Sequence, residues 1–224
     1  RAGAGLVTLA ADGDVEAPDS IMTRRLEGGI GSLERIDTIV IGPGLGTGGE
    51  AGPRLREVLA SGVPAVLDAD ALNLVGTDLE ILATAAGPIV LTPHPGEAAR
   101  LLGTTIAVIE EDRLAAARTL AARTRAVVVL KGARTVVCDG TLPDEYCSIN
   151  PTGGPALATA GSGDVLAGVI AGLLAQGLPA GDAARAAVYV HGMAGESLGE
   201  SHGRGVMSSE LPLAVAFAIH SITG

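Results

Sequence analysis

Short apolar runs recur along the chain, and most of them end at Gly, Pro or Asp. Continuous apolar runs of this length are typical of strands buried on both faces, as in a parallel sheet. We therefore predict buried strands at 6–9, 38–41, 65–67, 89–91 and 127–130. The segments between them predict helices over 54–60, 96–102 and 110–123. This alternation favours an α/β fold with a doubly wound or related sheet.

The pattern changes after Lys131. Residues 135–138, the Asp139-Gly140 pair and the stretch to Ile149 predict a hairpin at the edge of the sheet. Three helices are expected in the remaining chain, over 164–176, 180–199 and 208–221. No linker, repeat or low-complexity segment interrupts the sequence, so we expect a single domain over residues 1–224. The chain begins at Arg1 without Met, directly before a strand-like run, and we expect it to be a truncated or processed piece.

The composition and charge of the chain argue against several classes of function. The 224 residues are 47% hydrophobic, enough for one sizeable core, and the net charge of −10 disfavours nucleic-acid and anionic-membrane partners. The chain has few aromatic side chains on which nucleic-acid bases could stack, with one Phe, two Tyr and no Trp. No charge-free apolar run approaches the roughly 20 residues of a membrane-spanning helix. Of the 15 cations, 14 are Arg and only Lys131 is a lysine.

The two cysteines, Cys138 and Cys147, lie nine residues apart without a CxxC pair or a nearby His, which argues against zinc. A disulfide between them is compatible with the spacing. We nevertheless expect reduced thiols and a cytoplasmic protein.

The segment Gly161-Ser162-Gly163-Asp164 precedes a predicted helix. Helix N-termini expose unpaired amides and a positive dipole end, and glycines let a ligand approach the backbone, so this turn is a candidate phosphate cradle. Asp164 beside it is a candidate base that accepts the proton of an attacking hydroxyl. The alternative is structural: the glycines form a turn and Asp164 complements the helix dipole. GxxxxGK[ST] is absent, so this is not a Walker A loop.

Three further segments follow predicted strands, where α/β proteins bind ligands. Lys131 and the amides after it could hold phosphates, or the lysine could be a solvated turn residue. His94 lies between two prolines, which suggests ligand contact; the alternative is a Pro-bounded loop with a capping Glu97. Residues 42–49 contain five glycines but lack clean GxGxxG spacing, so this signal is weak on its own.

Asp68 and Asp70 come just past a strand and are two residues apart. Paired carboxylates can hold Mg²⁺, or they can cap the helix that begins near Ala71. We favour a structural or supporting role for both, and we assign no metal ligands.

Together these segments resemble the ribokinase-like fold and, more narrowly, the ADP- or ATP-dependent NAD(P)H-hydrate dehydratases that repair nicotinamide nucleotides. The matching motifs are VIGPGLG (40–46), LDADALN (67–73), LTPHPGE (91–97), VVLKGARTVV (128–137), ATAGSGDVLAG (158–168) and HGMAG (191–195). The resemblance implies a three-layer fold, with a mostly parallel sheet between helices. It also implies dehydration of the S-epimer of NAD(P)H hydrate, with ADP or ATP as co-substrate, Mg²⁺ as cofactor and a homo-oligomer, a tetramer by analogy.

The resemblance also assigns residues. Asp164 would contact the hydrate's hydroxyl as the acid/base group, and Gly46 and His94 would contact the nicotinamide nucleotide. The adenine nucleotide would lie along Lys131, Gly132, Ala133, Arg134, Thr135, Gly161, Ser162 and Gly163.

Two departures from the family pattern stand out. The family's earlier strand and Gly-rich stretch are missing before Gly3, and residues 152–157 read TGGPAL where TGNPGM is usual. Two alternatives stay open, since small-molecule kinases of the same fold share the GSGD-like turn and the aspartate base. One is a small-molecule kinase of the hydroxyethylthiazole or hydroxymethylpyrimidine type, and the other is a nucleotide-binding module without catalysis.

Overall fold

A computed structural model describes residues 2–142 and 146–224. Arg1 and part of the turn of the predicted hairpin, residues 143–145, lie outside the described residues. The strands are β1 (Thr8–Ala11), β2 (Met22–Arg25), β3 (Ile39–Ile41), β4 (Ala65–Leu67), β5 (Ile89–Leu91), β6 (Val127–Leu130), β7 (Val136–Asp139) and β8 (Tyr146–Ile149). The helices are α1 (Ala51–Ala60), α2 (Ala69–Val75), α3 (Pro95–Leu102), α4 (Ile106–Glu111), α5 (Arg113–Thr124), α6 (Ser162–Ala175), α7 (Ala180–His202) and α8 (Leu211–Thr223). Two 3₁₀ turns span Leu79–Thr84 and Pro155–Leu157.

The central sheet has six strands in the order β3-β4-β5-β6-β7-β8. The first four are parallel, and β7 and β8 extend the edge as an antiparallel hairpin. The predicted edge hairpin and mostly parallel sheet are therefore confirmed.

Alternate side chains of the inner strands β4, β5 and β6 enter different cores, which explains their continuous apolar runs. In β5, Ile89 and Leu91 pack with helices α1 to α5. Val90 between them packs on the other face, with α6, α7 and α8. Both faces of the sheet are thus covered, and the fold is the three-layer arrangement that the sequence predicted.

The first apolar run does not join this sheet, which corrects the prediction of a buried strand at 6–9. Strand β1 instead pairs in parallel with β2, which the sequence did not predict, in a separate two-stranded sheet. Leu6, just before β1, is 84% exposed, and among the described residues no helix layer buries this sheet as helices bury the central one. An apolar run alone did not reveal whether such layers would be present.

The cysteines also differ from expectation. Cys138 of β7 and Cys147 of β8 are register partners and are joined by a disulfide. The hairpin places the two side chains directly opposite each other, so a separation of nine residues brings the sulfurs together. The prediction of reduced thiols is wrong for this structure.

Among the described residues, no helix combines the length and apolar character required to cross a bilayer.

Candidate functional site

The predicted ligand segments meet at one edge of the central sheet. Strands β3, β4, β5 and β6 run parallel, so their carboxyl ends at Ile41, Leu67, Leu91 and Leu130 lie along the same edge. The Gly-rich loop, the Asp68 segment, the His94 segment and Lys131 each begin there. Ligands of α/β proteins bind at such an edge, because the loops after the strands converge on it.

Lys131 lies at the centre of this edge and contacts two buried carboxylates. Its ammonium is 2.7 Å from Asp68 Oδ1 and 3.9 Å from Glu97 Oε2. Its backbone amide donates to the carbonyl of Pro93 at 2.8 Å, which ties β6 to the loop after β5. Lys131 is therefore no freely solvated turn residue: its charge is held at a defined place.

The loop after Lys131 is exposed over residues 132–134 and is supported from below by Arg113. The guanidinium of Arg113 donates to the carbonyls of Leu130 and Lys131 at 3.2 and 3.0 Å. Thr135 Oγ1 donates to the carbonyl of Gly132 at 3.1 Å and closes the loop. Arg113 is a site residue that the sequence did not indicate, since nothing local to its helix shows what the guanidinium contacts.

The first turn of α6 faces the Lys131 ammonium. A Cβ added to Gly163 would lie 3.2 Å from Lys131 Nζ and 3.9 Å from Asp68 Oδ2, so glycine lets the backbone come close to this charge pair. Gly161 is the N-cap residue in the left-handed conformation, and glycine has no side chain to cap the helix. The helix end therefore remains available as an anion-binding turn.

Ser162 is the exception within this turn. Its amide donates to the carbonyl of Thr159 at 3.2 Å, and its buried hydroxyl lies 3.3 Å from His191 Nε2. In the described part of the chain, the amides of Gly163 and Asp164 donate to no backbone carbonyl. The open donors of the cradle are thus these two amides, whereas Ser162 is turned into the protein.

Asp164 combines exposure with a shifted pKa. Partial burial raises the pKa of its carboxyl, the negative charge of Asp68 raises it further, and the ammonium of Lys131 lowers it. A carboxyl with a raised pKa beside open amides is suited to accept a proton from a hydroxyl.

His94 is the N-cap of α3. Its Nδ1 accepts from the amides of Gly96 and Glu97 at 2.9 and 3.4 Å, and the Glu97 carboxylate accepts from the His94 amide at 2.7 Å. This reciprocal capping box confirms the capping Glu97 and adds a capping role for His94. The His94 side chain is still 56% exposed, so its outer face is available to a ligand.

Gly46 is held by the second aspartate of the LDADALN motif. The Gly46 amide donates to Asp70 Oδ2 at 2.9 Å, and Asn73 Nδ2 donates to Asp70 Oδ1 at 3.2 Å. Gly42 of the same loop adopts φ +127°, and a Cβ there would lie 1.7 Å from the carbonyl oxygen of Asp68. Only glycine fits at that position, so the Gly-rich loop lies directly on the Asp68 segment.

The two aspartates therefore have supporting roles, as the sequence suggested, but Asp68 does not cap α2. The Asp68 carboxylate makes no capping hydrogen bond to that helix and instead binds Lys131. Within residues 2–142 and 146–224, no three His, Cys, Asp or Glu side chains converge as a metal site would require.

Comparison with known proteins agrees with this geometry. A family model described as NAD(P)H-hydrate dehydratase matches residues 1–215. The bifunctional NAD(P)H-hydrate repair enzyme of Moorella thermoacetica is 47% identical over 231 aligned positions, which cover 94% of this chain and 43% of the relative. The ADP-dependent (S)-NAD(P)H-hydrate dehydratase of Neisseria meningitidis is 46% identical over 84% of this chain and 64% of its own length. The chain thus spans about half the length of these curated relatives.

Solved structures show the same architecture. The ADP/ATP-dependent NAD(P)H-hydrate dehydratase of Bacillus subtilis, co-crystallised with ATP and Mg²⁺, superimposes with a TM-score of 0.73 at 30% identity, over 89% of this chain and 72% of that one. A hydroxyethylthiazole kinase from Pyrococcus horikoshii gives a TM-score of 0.66 at 21% identity, over 88% of this chain and 78% of that one. The second similarity is one of fold alone.

Proposed function

We propose a function for this chain on the basis of its family, since it belongs to the NAD(P)H-hydrate dehydratases. It converts the S-epimer of NAD(P)H hydrate back to NAD(P)H, with hydrolysis of ADP or ATP. The observation that carries the proposal is the placement of Asp164. Its carboxyl lies in the first turn of α6, beside the open amides of that turn, and the neighbouring residue Gly163 lies close to the Lys131 ammonium. A proton acceptor and a phosphate-binding turn thus meet at the edge where the other motifs converge.

The adenine nucleotide is proposed to lie along residues 131–135, with its phosphates at the turn of Gly161, Ser162 and Gly163. Lys131 would contact a phosphate as a compact positive charge, and the amides of Gly163 and Asp164 would donate to phosphate oxygens. Ser162 contributes backbone position, since its hydroxyl faces His191.

The hydrate is proposed to contact Gly46 and the exposed face of His94, with its ring hydroxyl at Asp164. Asp164 accepts the hydroxyl proton as the oxygen attacks the terminal phosphorus and the phosphoanhydride bond breaks. The carbon–oxygen bond then breaks with phosphate as the leaving group, while loss of a proton from the neighbouring carbon forms the ring double bond. Phosphorylation makes a poor leaving group into a good one.

Mg²⁺ fits this site as a companion of the nucleotide. It commonly keeps several waters and uses one or two carboxylates together with substrate phosphates, which needs no closed cage of protein ligands. Asp164 is the exposed carboxylate available beside the phosphate turn. When bound, the ion neutralises charge on the phosphates.

The test is recovery of reduced nicotinamide absorbance from purified hydrate, with ADP and ATP compared side by side. Recovery that requires either nucleotide supports the proposal, and hydrate left unchanged with both contradicts it. A kinase of the same fold would instead consume nucleotide with an alcohol substrate and retain a phosphorylated product.

We also propose that the protein is a homo-oligomer, a tetramer by analogy with the family. Leu213 and Phe217 lie one turn apart on α8 and expose large apolar surface, with Phe217 65% exposed. Such a pair is suited to pack against another subunit. Light scattering should give an oligomeric mass that falls in Phe217→Asp; a monomer in the unchanged protein contradicts this proposal.

A further inference from the structure

His191 is a buried histidine on α7 to which the mechanism above gives no part. Its Nε2 lies 3.1 Å from the carbonyl oxygen of Ser162 and 3.3 Å from the Ser162 hydroxyl. Both contacts reach the first residue of α6, directly before Gly163 and Asp164. His191 therefore contacts the protein side of the anion-binding turn, whereas the nucleotide is proposed to lie on its open side.

The contact defines the protonation of the ring. A carbonyl oxygen only accepts hydrogen bonds, so Nε2 must carry the proton and donate it. Burial lowers the pKa of His191 to about 4, which keeps the imidazole neutral near neutral pH. The ring therefore holds Ser162 by a hydrogen bond without placing a positive charge behind Asp164 and Lys131.

The same stretch of α7 also anchors the loop that leads to this turn. Asn150 Nδ2 donates to the carbonyl of Val188 at 3.0 Å, and Thr152 Oγ1 donates to that of Tyr189 at 2.9 Å. Further along the helix, Glu196 Oε1 accepts from the Gly153 amide at 2.9 Å. Residues 150–153 are thus fixed to α7 at the start of the loop, and His191 supplies a corresponding hydrogen bond at its end.

We infer that His191 is a positioning residue that orients the phosphate-binding turn through Ser162. With Ser162 turned inward by this hydrogen bond, the amides of Gly163 and Asp164 point outward together, and the Asp164 carboxyl keeps its place relative to them. The inference rests on the proposed function for the identity of the anion, but its geometry can be tested without turnover.

Three variants of the full chain test this role. His191→Leu removes the donor and keeps an apolar side chain in the buried site. His191→Gln restores an N–H at a similar reach, and His220→Leu, at an exposed histidine on α8, is the matched control. Far-UV circular dichroism and thermal unfolding establish whether each variant folds.

ADP binding measured by calorimetry is the first readout. We expect about tenfold weaker binding in His191→Leu, a value within about threefold of the unchanged protein in His191→Gln, and little change in His220→Leu. Unchanged binding in a folded His191→Leu, or no rescue by Gln, overturns the inference. If the unchanged protein binds ADP without dehydrating the hydrate, the proposed activity fails while the role of His191 is still decided.

Amide hydrogen exchange is the second readout and needs no nucleotide. The Val165 amide donates to the carbonyl of Gly161 at 3.2 Å, so it reports closure of the first turn. We expect its exchange to be about tenfold faster in His191→Leu and restored in His191→Gln. A rate that is equal in all variants shows that the turn holds its shape without His191 and overturns the inference. This readout decides the question even if ADP does not bind.

Discussion

The ammonium of Lys131 lies 2.7 Å from the carboxylate of Asp68, which is only 1% exposed. This pair joins the end of β6 to the end of β4 underneath the first turn of α6. The lysine therefore occupies a defined position before any phosphate is present. Its buried partner also influences the proton affinity of Asp164.

Asp68→Asn should move the acid limb of the pH dependence of turnover. The charge of Asp68 raises the pKa of the Asp164 carboxyl, so its removal lowers that pKa. The ionised, proton-accepting form of Asp164 then persists to lower pH, and the acid limb of kcat/KM should shift in that direction. Asp70→Asn is the control, because it removes a nearby carboxylate that does not contribute to the shift. A limb that stays in place in Asp68→Asn contradicts this coupling.

The same substitution should also destabilise the fold. Hydrogen bonds to charged groups contribute roughly 1.5 to 3 kcal/mol, so we expect a loss of about this size in the free energy of unfolding. Urea titration measures it. No loss in Asp68→Asn would mean that the Lys131 ammonium is as well satisfied by solvent as by its buried partner.

Lys131→Arg should weaken nucleotide use more than an exchange of cations elsewhere. The backbone at Gly163 comes close above the ammonium, and a planar guanidinium does not reproduce a compact point charge. We expect the KM for nucleotide to rise about tenfold, which corresponds to roughly 1.4 kcal/mol. The matched control is Arg118→Lys, an exposed position on α5. Arg113 on the same helix is unsuitable as a control, because it supports the loop after β6. Equal effects of Lys131→Arg and Arg118→Lys on the KM for nucleotide would contradict a special role for the lysine.

Asp164→Asn should abolish turnover and leave ADP binding largely unchanged. An amide cannot accept the hydroxyl proton as a base, whereas the phosphate-binding amides of the turn remain in place. General-base contributions are about 10²- to 10⁴-fold, so the loss in kcat should fall in or above that range. Asp182→Asn is a matched control, since Asp182 is also an aspartate in the first turn of a helix, α7. Substantial activity in Asp164→Asn would remove it from the chemistry.

The sequence predicted most of the central sheet and the convergence of the motifs, for a physical reason. Buried parallel strands produce continuous apolar runs, and their carboxyl ends must lie at one edge. It could not predict that Lys131 is paired with Asp68, because 63 residues separate them and neither segment shows the other's position. It could not predict the disulfide either, because residue spacing does not show the strand register that places Cys138 opposite Cys147.

Two substitutions of His94 separate its capping role from its proposed contact with the ligand. His94→Ala removes the acceptor of the Gly96 amide and should lower the free energy of unfolding by about 1 kcal/mol. His94→Asn keeps a good N-cap acceptor and should retain most of that stability while losing the imidazole. If the exposed face of His94 contacts the nicotinamide nucleotide, both variants raise the KM for hydrate. A normal KM in a stable His94→Asn would leave His94 with the capping role alone.

The Cys138–Cys147 disulfide should stabilise the edge hairpin on which the nucleotide loop is built. Closure of a short loop restricts the unfolded chain, and loops of this order give roughly 2 to 3 kcal/mol. Reduction by dithiothreitol should therefore lower the free energy of unfolding by about that amount. The Cys138→Ala, Cys147→Ala double variant should be equally destabilised and insensitive to the reductant. Thiol alkylation with mass spectrometry measures the pairing in the purified protein. Stability that is unchanged by complete reduction would show that strand pairing alone holds the hairpin.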